Sequence, residues 1–361
     1  MRTRACQPQR SKPTRVGRQL LWLVSALVTT VACVPGCQPK EQSAPQPKSR
    51  TVVVYTSADQ VFSEPVLKAF EQQSGIRVLP VFDVEATKTT GLVNRLIAEK
   101  ARPQADVWWN NEFAQTLVLK SKGVLTPWAA PAAQDLPARY RDPQGYWNAL
   151  PGRARVLLVN TRLVAAADYP KTLEDLTKTS YGRGQVGISN PLFGTAATHA
   201  AALYCTLGRD RALQFFKRLK AAGVQVLDGN SVVRDQVASG QLKVGLTDSD
   251  DAYGAIRDGA PVKVILPDQE SKGTLVFFGT VSLVAGGPHP EEGRALANYL
   301  LSREVEKQLI ASDCCQVPFR LLDLQPAWLG GGKLRALPVD FAEVLRQYPL
   351  AQQDLREIFV R

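Results

Sequence analysis

Three short polar runs carry the side chains of this chain that could hold a ligand: Thr56-Ser57-Ala58-Asp59-Gln60, Asn110-Asn111-Glu112 and Thr247-Asp248-Ser249-Asp250-Asp251. Asp59, Glu112, Asp250 and Asp251 supply up to four carboxylates, with Asp248 beside the last two and the neutral donors Ser57 and Asn111 among them. Carboxylates gathered this closely raise one another's pKa and repel, so an enclosed site built from them needs a cation. Hard oxygen donors suit Fe³⁺, Mn²⁺, Ca²⁺ or Mg²⁺, and they suit equally the ammonium groups of an organic cation. Arg153, Lys88 and the helix start expected at Gly194-Thr195 work in the other direction. They can hold an anion that accompanies a metal, or the phosphonate end of a zwitterion. Each residue also has a plainer use: Asp59 and the Asp250-Asp251 pair as helix caps and first-turn acids, Arg153 as one half of a surface ion pair.

The surrounding pattern decides where these runs lie. Thr51 to Tyr55 is a continuous β-branched run of the kind buried on both faces of a parallel sheet. A helix is expected over 62–74, ended by Gly75, then a strand over 76–82, a helix over 91–101 and a strand over 105–109. Strands and helices alternating at this spacing predict a parallel sheet covered by helices, with ligands held at the carboxyl ends of the strands. Both the Asp59 run and the Asn111-Glu112 run then sit on one rim. A second α/β series begins near Arg153: strands are expected over 156–159, 185–188, 224–227, 244–246 and 262–266, with helices between. The acidic run at 247–251 again follows a strand. The stretch 274–284 is long enough to cross back to the first series, helices over 291–302 and 304–311 close it, and the apolar spacing of the last 40 residues suggests helices packed on that same first half. Trp108 and Trp109 read as core and cleft wall, His199 as core or helix surface, and His289, between two prolines, as a turn residue.

Composition narrows the function. Six basic residues and no acid occupy positions 1–18, followed by the apolar run LLWLVSALVTTVACV at 20–34, which is shorter than the ~20 residues needed to cross a bilayer. This is an export signal. Val34-Pro35-Gly36-Cys37 then resembles the lipobox of bacterial lipoproteins, which makes Cys37 the expected lipidation site, and residues 38–50 have the composition of a solvated tether. Without the export segment the formal net charge of +11 falls to about +5, with 38 Lys and Arg against 33 Asp and Glu scattered along the helices. Nucleic acid is therefore excluded as a partner. Two His and no CxxC rule out a thiol or imidazole zinc site, and the absence of GxSxG and HExxH removes a secreted hydrolase. Of six Cys, only Cys205, Cys314 and Cys315 lie in the folded part. An exported chain can pair Cys205 with either of the vicinal two, and sequence leaves that pairing open.

From Thr51 to Arg320 the chain resembles the ferric-iron-type substrate-binding proteins of bacterial ABC importers. The resemblance rests on VVVYTSADQVFSEPVLKAFEQQSGIRV, PQADVWWNNE, PGRARVLLVNTR, GVQVLDGNSVVRDQVASGQLKVGLTDSDDA and PHPEEGRALANYLLSREVEKQL, in that order. It implies a two-lobe periplasmic-binding-protein-like fold of type II that closes on its solute by hinge motion. The implied protein is a non-enzymatic monomer of the periplasm or cell envelope, held to the membrane by its lipid. It needs no cofactor, takes ferric iron as cargo and hands it to a membrane permease. The division expected is 1–36 signal, 37–50 linker, 51–152 with 281–361 as lobe 1, and 153–280 as lobe 2. Such binders hold iron with two adjacent tyrosines, a His and a Glu; here the tyrosine pair aligns with Asp250-Asp251, the His with Asp59, and the Glu with Asn111, Glu112 lying one residue along. The metal set expected is thus Asp59, Glu112, Asp250 and Asp251, and Ser57, Asn111, Arg153 and Thr195 complete the ligand site. An organic solute (a polyamine, a thiamine-like cation or an aminophosphonate) and a ligand-presenting sensor are the alternatives.

Overall fold

The computed structural model describes residues 50–83, 89–320 and 334–360. The expected export segment and linker, with Cys37, and Lys88 lie outside the described residues.

The first half follows the expected alternation: β1 (Thr51–Thr56), α1 (Gln60–Ser74), β2 (Arg77–Phe82), α2 (Thr90–Ala98), β3 (Val107–Asn110), α3 (Ala114–Ser121) and the short β4 (Leu125–Thr126). β1 pairs in parallel with β2 on one side and β3 on the other. Val52, Val54, Val66, Leu67 and Phe70 are buried between this sheet and α1, and Gly75 closes α1 in the left-handed conformation that only a residue without Cβ adopts freely.

β5 (Asn148–Asn160) is far longer than expected and buried throughout. Beyond it lie β6 (Val186–Ser189), α4 (Gly194–Leu207), α5 (Arg209–Ala221), β7 (Gln225–Leu227), α6 (Asn230–Ser239), β8 (Val244–Asp248), α7 (Ser249–Arg257) and β9 (Val262–Ile265). β6, β7 and β8 are mutually parallel, while β5 runs antiparallel to β8 and β9. β10 (Val276–Val284) returns to the first half, antiparallel to β3 and to the opening stretch of β5. The strand order β2-β1-β3-β10-β5-β8-β6-β7 therefore passes from one half to the other through β10 and β5 alone. Their register shifts at Gly279, where a Cβ would lie 2.6 Å from the Asn110 carbonyl oxygen, so a side chain there would push β10 off β3.

α8 (Pro290–Leu300) and α9 (Arg303–Ala311) pack on β10, β1 and β5 as expected of a closing pair. α10 (Phe341–Phe359) departs from expectation. It is seated mainly on α4 and α5 of the second half, and reaches the first half through α3. Its apolar stripe, Val344, Ala351, Leu355 and Ile358, meets the Ala-rich face of α4, whose small side chains permit close approach. Gln115 donates to the Tyr348 hydroxyl at 2.9 Å, and Asp354 accepts from Tyr204 and Arg209, so α10 is bonded to both halves. Among the described residues no helix is long and apolar enough to cross a membrane.

Candidate functional site

A narrow cleft opens between the halves, lined by Asp59, Asn111 and Arg153 on one side and by Ser189, Thr195 and Asp251, with their neighbours, on the other. Helix starts surround it. Asp59 precedes α1, Gly194 and Thr195 open α4, Asn230 opens α6, and Asp251 lies in the first turn of α7. First-turn N–H groups have no partner within their own helix and favour negative charge beside them.

Two arginines of β5 organise its floor. Arg153 and Arg155 are two residues apart on a strand and so share a face. Arg155 lies opposite Asp248 in the β5–β8 register, and its Nη1 donates to Asp248 Oδ1 at 2.5 Å and to Asn230 Oδ1 at 2.8 Å. Asp248 Oδ2 accepts from Thr195 Oγ1 at 2.7 Å and Asn230 Nδ2 at 2.9 Å. Arg153 Nη1 donates to Asp250 Oδ2 at 2.5 Å, its Nη2 to the Asn111 carbonyl at 2.6 Å, and its guanidinium lies over the Phe277 ring. Both arginines and both aspartates are at most 3 % exposed. Burial opposes the charge on Arg153, and Asp250 and Asp248 outweigh it, so its pKa is raised. Burial also pushes the Asp250 carboxyl up to about 6, against the pull of Arg153 and with help from Asp248 and Asp59.

The expected site residues separate into two groups. Asp59, Asn111, Arg153, Thr195 and Asp251 line the cleft. Ser57, Glu112 and Asp250 do not. Ser57 donates to Asn110 Oδ1 and accepts from the Asn111 N–H, which shapes the loop below the rim. Glu112 is turned inward: its carboxylate accepts from the N–H groups of Ala114 and Gln115 at the start of α3, and from Thr198 Oγ1 on α4 at 2.6 Å. It caps a helix and bonds the two halves, and burial raises its pKa despite these donors. Asp250 is occupied by Arg153. Four carboxylates facing one cation therefore do not form; the set that converges is Asp248, Asp250 and Asp251, whose oxygens lie within 4.8 Å of one another.

Sequence reasoning missed Arg155, Ser189, Asn190 and Asn230. The Arg-Ala-Arg alternation at 153–155 was the available signal for Arg155: charges at a two-residue spacing before an apolar strand put both on one face. No pattern marked the others. Trp108 and Trp109 are core, His199 is buried, and His289 precedes α8 with Nδ1 2.9 Å from Asp106, as their surroundings in the sequence suggested.

Two α/β halves joined by two long strands around a polar cleft define a solute receptor that holds its ligand without transforming it. The chain matches the bacterial extracellular solute-binding proteins over residues 103–327 and belongs to that family. The expectation of a ferric-iron-type binding protein and of a non-enzymatic role is met at this level. Among its relatives, a probable ABC transporter periplasmic-binding protein of Sinorhizobium fredii is 29 % identical over 59 % of this chain and 60 % of its own. The major ferric iron-binding protein of Neisseria meningitidis is 22 % identical over 74 % of this chain and 81 % of its own. The solved structure of the periplasmic binding protein AfuA from Actinobacillus pleuropneumoniae, with fructose-6-phosphate bound, matches with a TM-score of 0.76 at 22 % identity, covering 87 % of this chain and 99 % of that one. The two-lobe fold is thus shared.

Proposed function

We propose that this protein is the lipid-anchored substrate-binding component of an ABC importer in the periplasm, and that its cargo is a small organic solute with an anionic head of phosphoryl or phosphonyl type. The observation that carries the cargo is the pair of buried ion pairs, Arg153 with Asp250 and Arg155 with Asp248. Two of the acids that a metal would require are already neutralised, and the cleft lining among the described residues contains no Tyr, His or Cys. What remains beside Arg153 is a ring of helix starts, hydroxyls and amides with Asp59, Asp228 and Asp251 among them; the helix starts and hydroxyls are the chemistry that holds an anionic head. Asp59 and Asp251 accept from donors on the rest of the solute, which accommodates an aminophosphonate. The phosphorylated sugar in the AfuA structure supports a solute of this kind on this scaffold.

A hard cation as cargo, ferric iron first, is the second reading. It is favoured by the convergence of Asp248, Asp250 and Asp251, and by Asp250 Oδ1, which is buried with no hydrogen-bond partner. The name of the Neisseria relative also supports it. Thermal shift of chelator-stripped protein with 2-aminoethylphosphonate, hexose phosphates and the cations Fe³⁺, Mn²⁺, Ca²⁺ and Mg²⁺ separates the two. A ligand of the folded state at a hundred times its Kd stabilises by about 2.7 kcal/mol. The proposed lipid at Cys37 anchors a monomeric receptor beside its permease.

A further inference from the structure

The segment between α9 and the end of the described middle stretch holds two adjacent cysteines, Cys314 and Cys315, at 2 % and 5 % exposure, with their sulfurs 3.9 Å apart. Asp313, in the left-handed conformation at φ 65°, turns the chain into them. The residues that follow are fastened to the crossover behind the cleft. Gly152 N–H donates to the Val317 carbonyl at 2.7 Å, and the Gly152 carbonyl accepts from the N–H groups of Gln316 and Val317 at 2.9 Å. The Ser249 hydroxyl, one residue before Asp250, donates to Gln316 Oε1. Arg153 lies near both sulfurs. Cys205 has different neighbours: it lies half-buried on α4 beside Asp340 and Glu343 at the start of α10.

We propose that Cys314 and Cys315 form a vicinal disulfide in the exported protein, and that this bond braces the Gln316–Val317 segment against Gly152 and Ser249 behind the binding cleft. Three observations carry it. The two sulfurs already lie 3.9 Å apart in the thiol form, and closing to a bond of ~2.05 Å needs an approach of under about 2 Å. The family works outside the cytoplasm, where disulfides form and persist. Cys205, the third thiol among the described residues, lies elsewhere, on α4 beside Asp340 and Glu343.

The chemistry is thiol–disulfide exchange with a disulfide-bearing protein oxidant, acting before the segment is buried. One cysteine thiolate attacks the oxidant's disulfide to give a mixed disulfide, and the second thiolate displaces it. The Sγ–Sγ bond forms, both S–H bonds are lost, and the oxidant leaves as a dithiol with the two electrons and two protons. Adjacent α-carbons are ~3.8 Å apart across a trans peptide, below the ~4.4–6.8 Å usual for a disulfide, so the bond is strained and easily reduced.

The test is a covalent map of the full chain recovered from its exported pool, acid-quenched, and alkylated in denaturant without reduction. The expected peptide carries Cys314 and Cys315 unalkylated and two hydrogens lighter than the dithiol, with Cys205 alkylated. Alkylation of both vicinal cysteines, or a bridge to Cys205, overturns the proposal. Hydrogen exchange tests the bracing: the amides of Gly152, Gln316 and Val317 exchange faster after mild reduction in the wild type and do not respond to reductant in C314S/C315S. Exchange that ignores reductant in the wild type overturns that half. Neither readout depends on the identity of the cargo.

Discussion

Arg153 and Asp250 are joined by a hydrogen bond of 2.5 Å between two side chains that are at most 3 % exposed, one on the strand that links the halves and one in the first turn of α7. The same guanidinium holds the Asn111 carbonyl of the opposite rim. An arginine that lines the cleft is thus also a tie between its walls.

Removing one partner leaves the other charged and buried. Arg153→Ala and Asp250→Ala should each destabilise the empty protein by about 3–5 kcal/mol. An apolar replacement of both, R153M/D250L, should recover most of that loss in urea unfolding while binding stays abolished. Read from the sequence alone, loss of Asp250 and Asp251 together leaves the melting temperature nearly unchanged; the ion pair reverses that expectation for Asp250. Equal stability of D250A and wild type would contradict the pairing.

Asp250 also sets a pH dependence. Its carboxyl is raised to about 6 from an ordinary 3.8, so between those values the folded state holds a proton that the unfolded chain has released. Its contribution to stability is therefore present below the unfolded value and declines as pH rises toward 6. The wild type minus D250N difference in unfolding free energy, measured from pH 4 to pH 7, should fall through that window and level off above it.

Strand and helix alternation, the two-half division and the rim position of Asp59, Asn111 and Asp251 were legible because each follows from local period and from loops at strand ends. The length of β5 was not. Its opening, Asn148 to Ala154, contains Pro151 and Gly152, which argue against a strand locally, and pairing with β10 overrides them. The fate of the acids was equally hidden. Asp248 and Asp250 meet Arg155 and Arg153 only because β5 and β8 run side by side, a long-range register that no local pattern states. Glu112 misled because the loop that follows β3, whose place on the rim suggested a ligand, also runs straight into α3, where an acid serves as a cap.

Glu112 and Thr198 give a test of that reassignment. Glu112→Ala removes the acceptor for two α3 N–H groups and the bond to α4, and should cost about 1–3 kcal/mol while binding persists. Thr198→Val removes only the bond between halves. A double-mutant cycle should find the two residues coupled. Lost binding in E112A at unchanged stability would return Glu112 to the ligand set.

The seat of α10 predicts that Leu355→Ala costs about 2–5 kcal/mol in chemical unfolding, because Leu355 is fully buried in the core that α10 shares with α4. A neutral effect would mean that the helix is an appendage.

The proposed anchor lies outside the described residues and is tested by fractionation. The wild type should carry a lipid mass at Cys37 and sediment with membranes, whereas Cys37→Ala should be soluble. An unmodified Cys37 would overturn the proposed anchor.

Isothermal titration of chelator-stripped protein with 2-aminoethylphosphonate and a hexose phosphate, set beside Fe³⁺ and Mn²⁺ in metal-buffered solution, tests the central claim most directly. The account predicts saturable one-to-one binding of a phosphonyl or phosphoryl solute, abolished in R153A and unaffected by chelator. Tight binding of a metal ion with no response to either organic anion would contradict it, and would mean that the two buried ion pairs open to release their carboxylates.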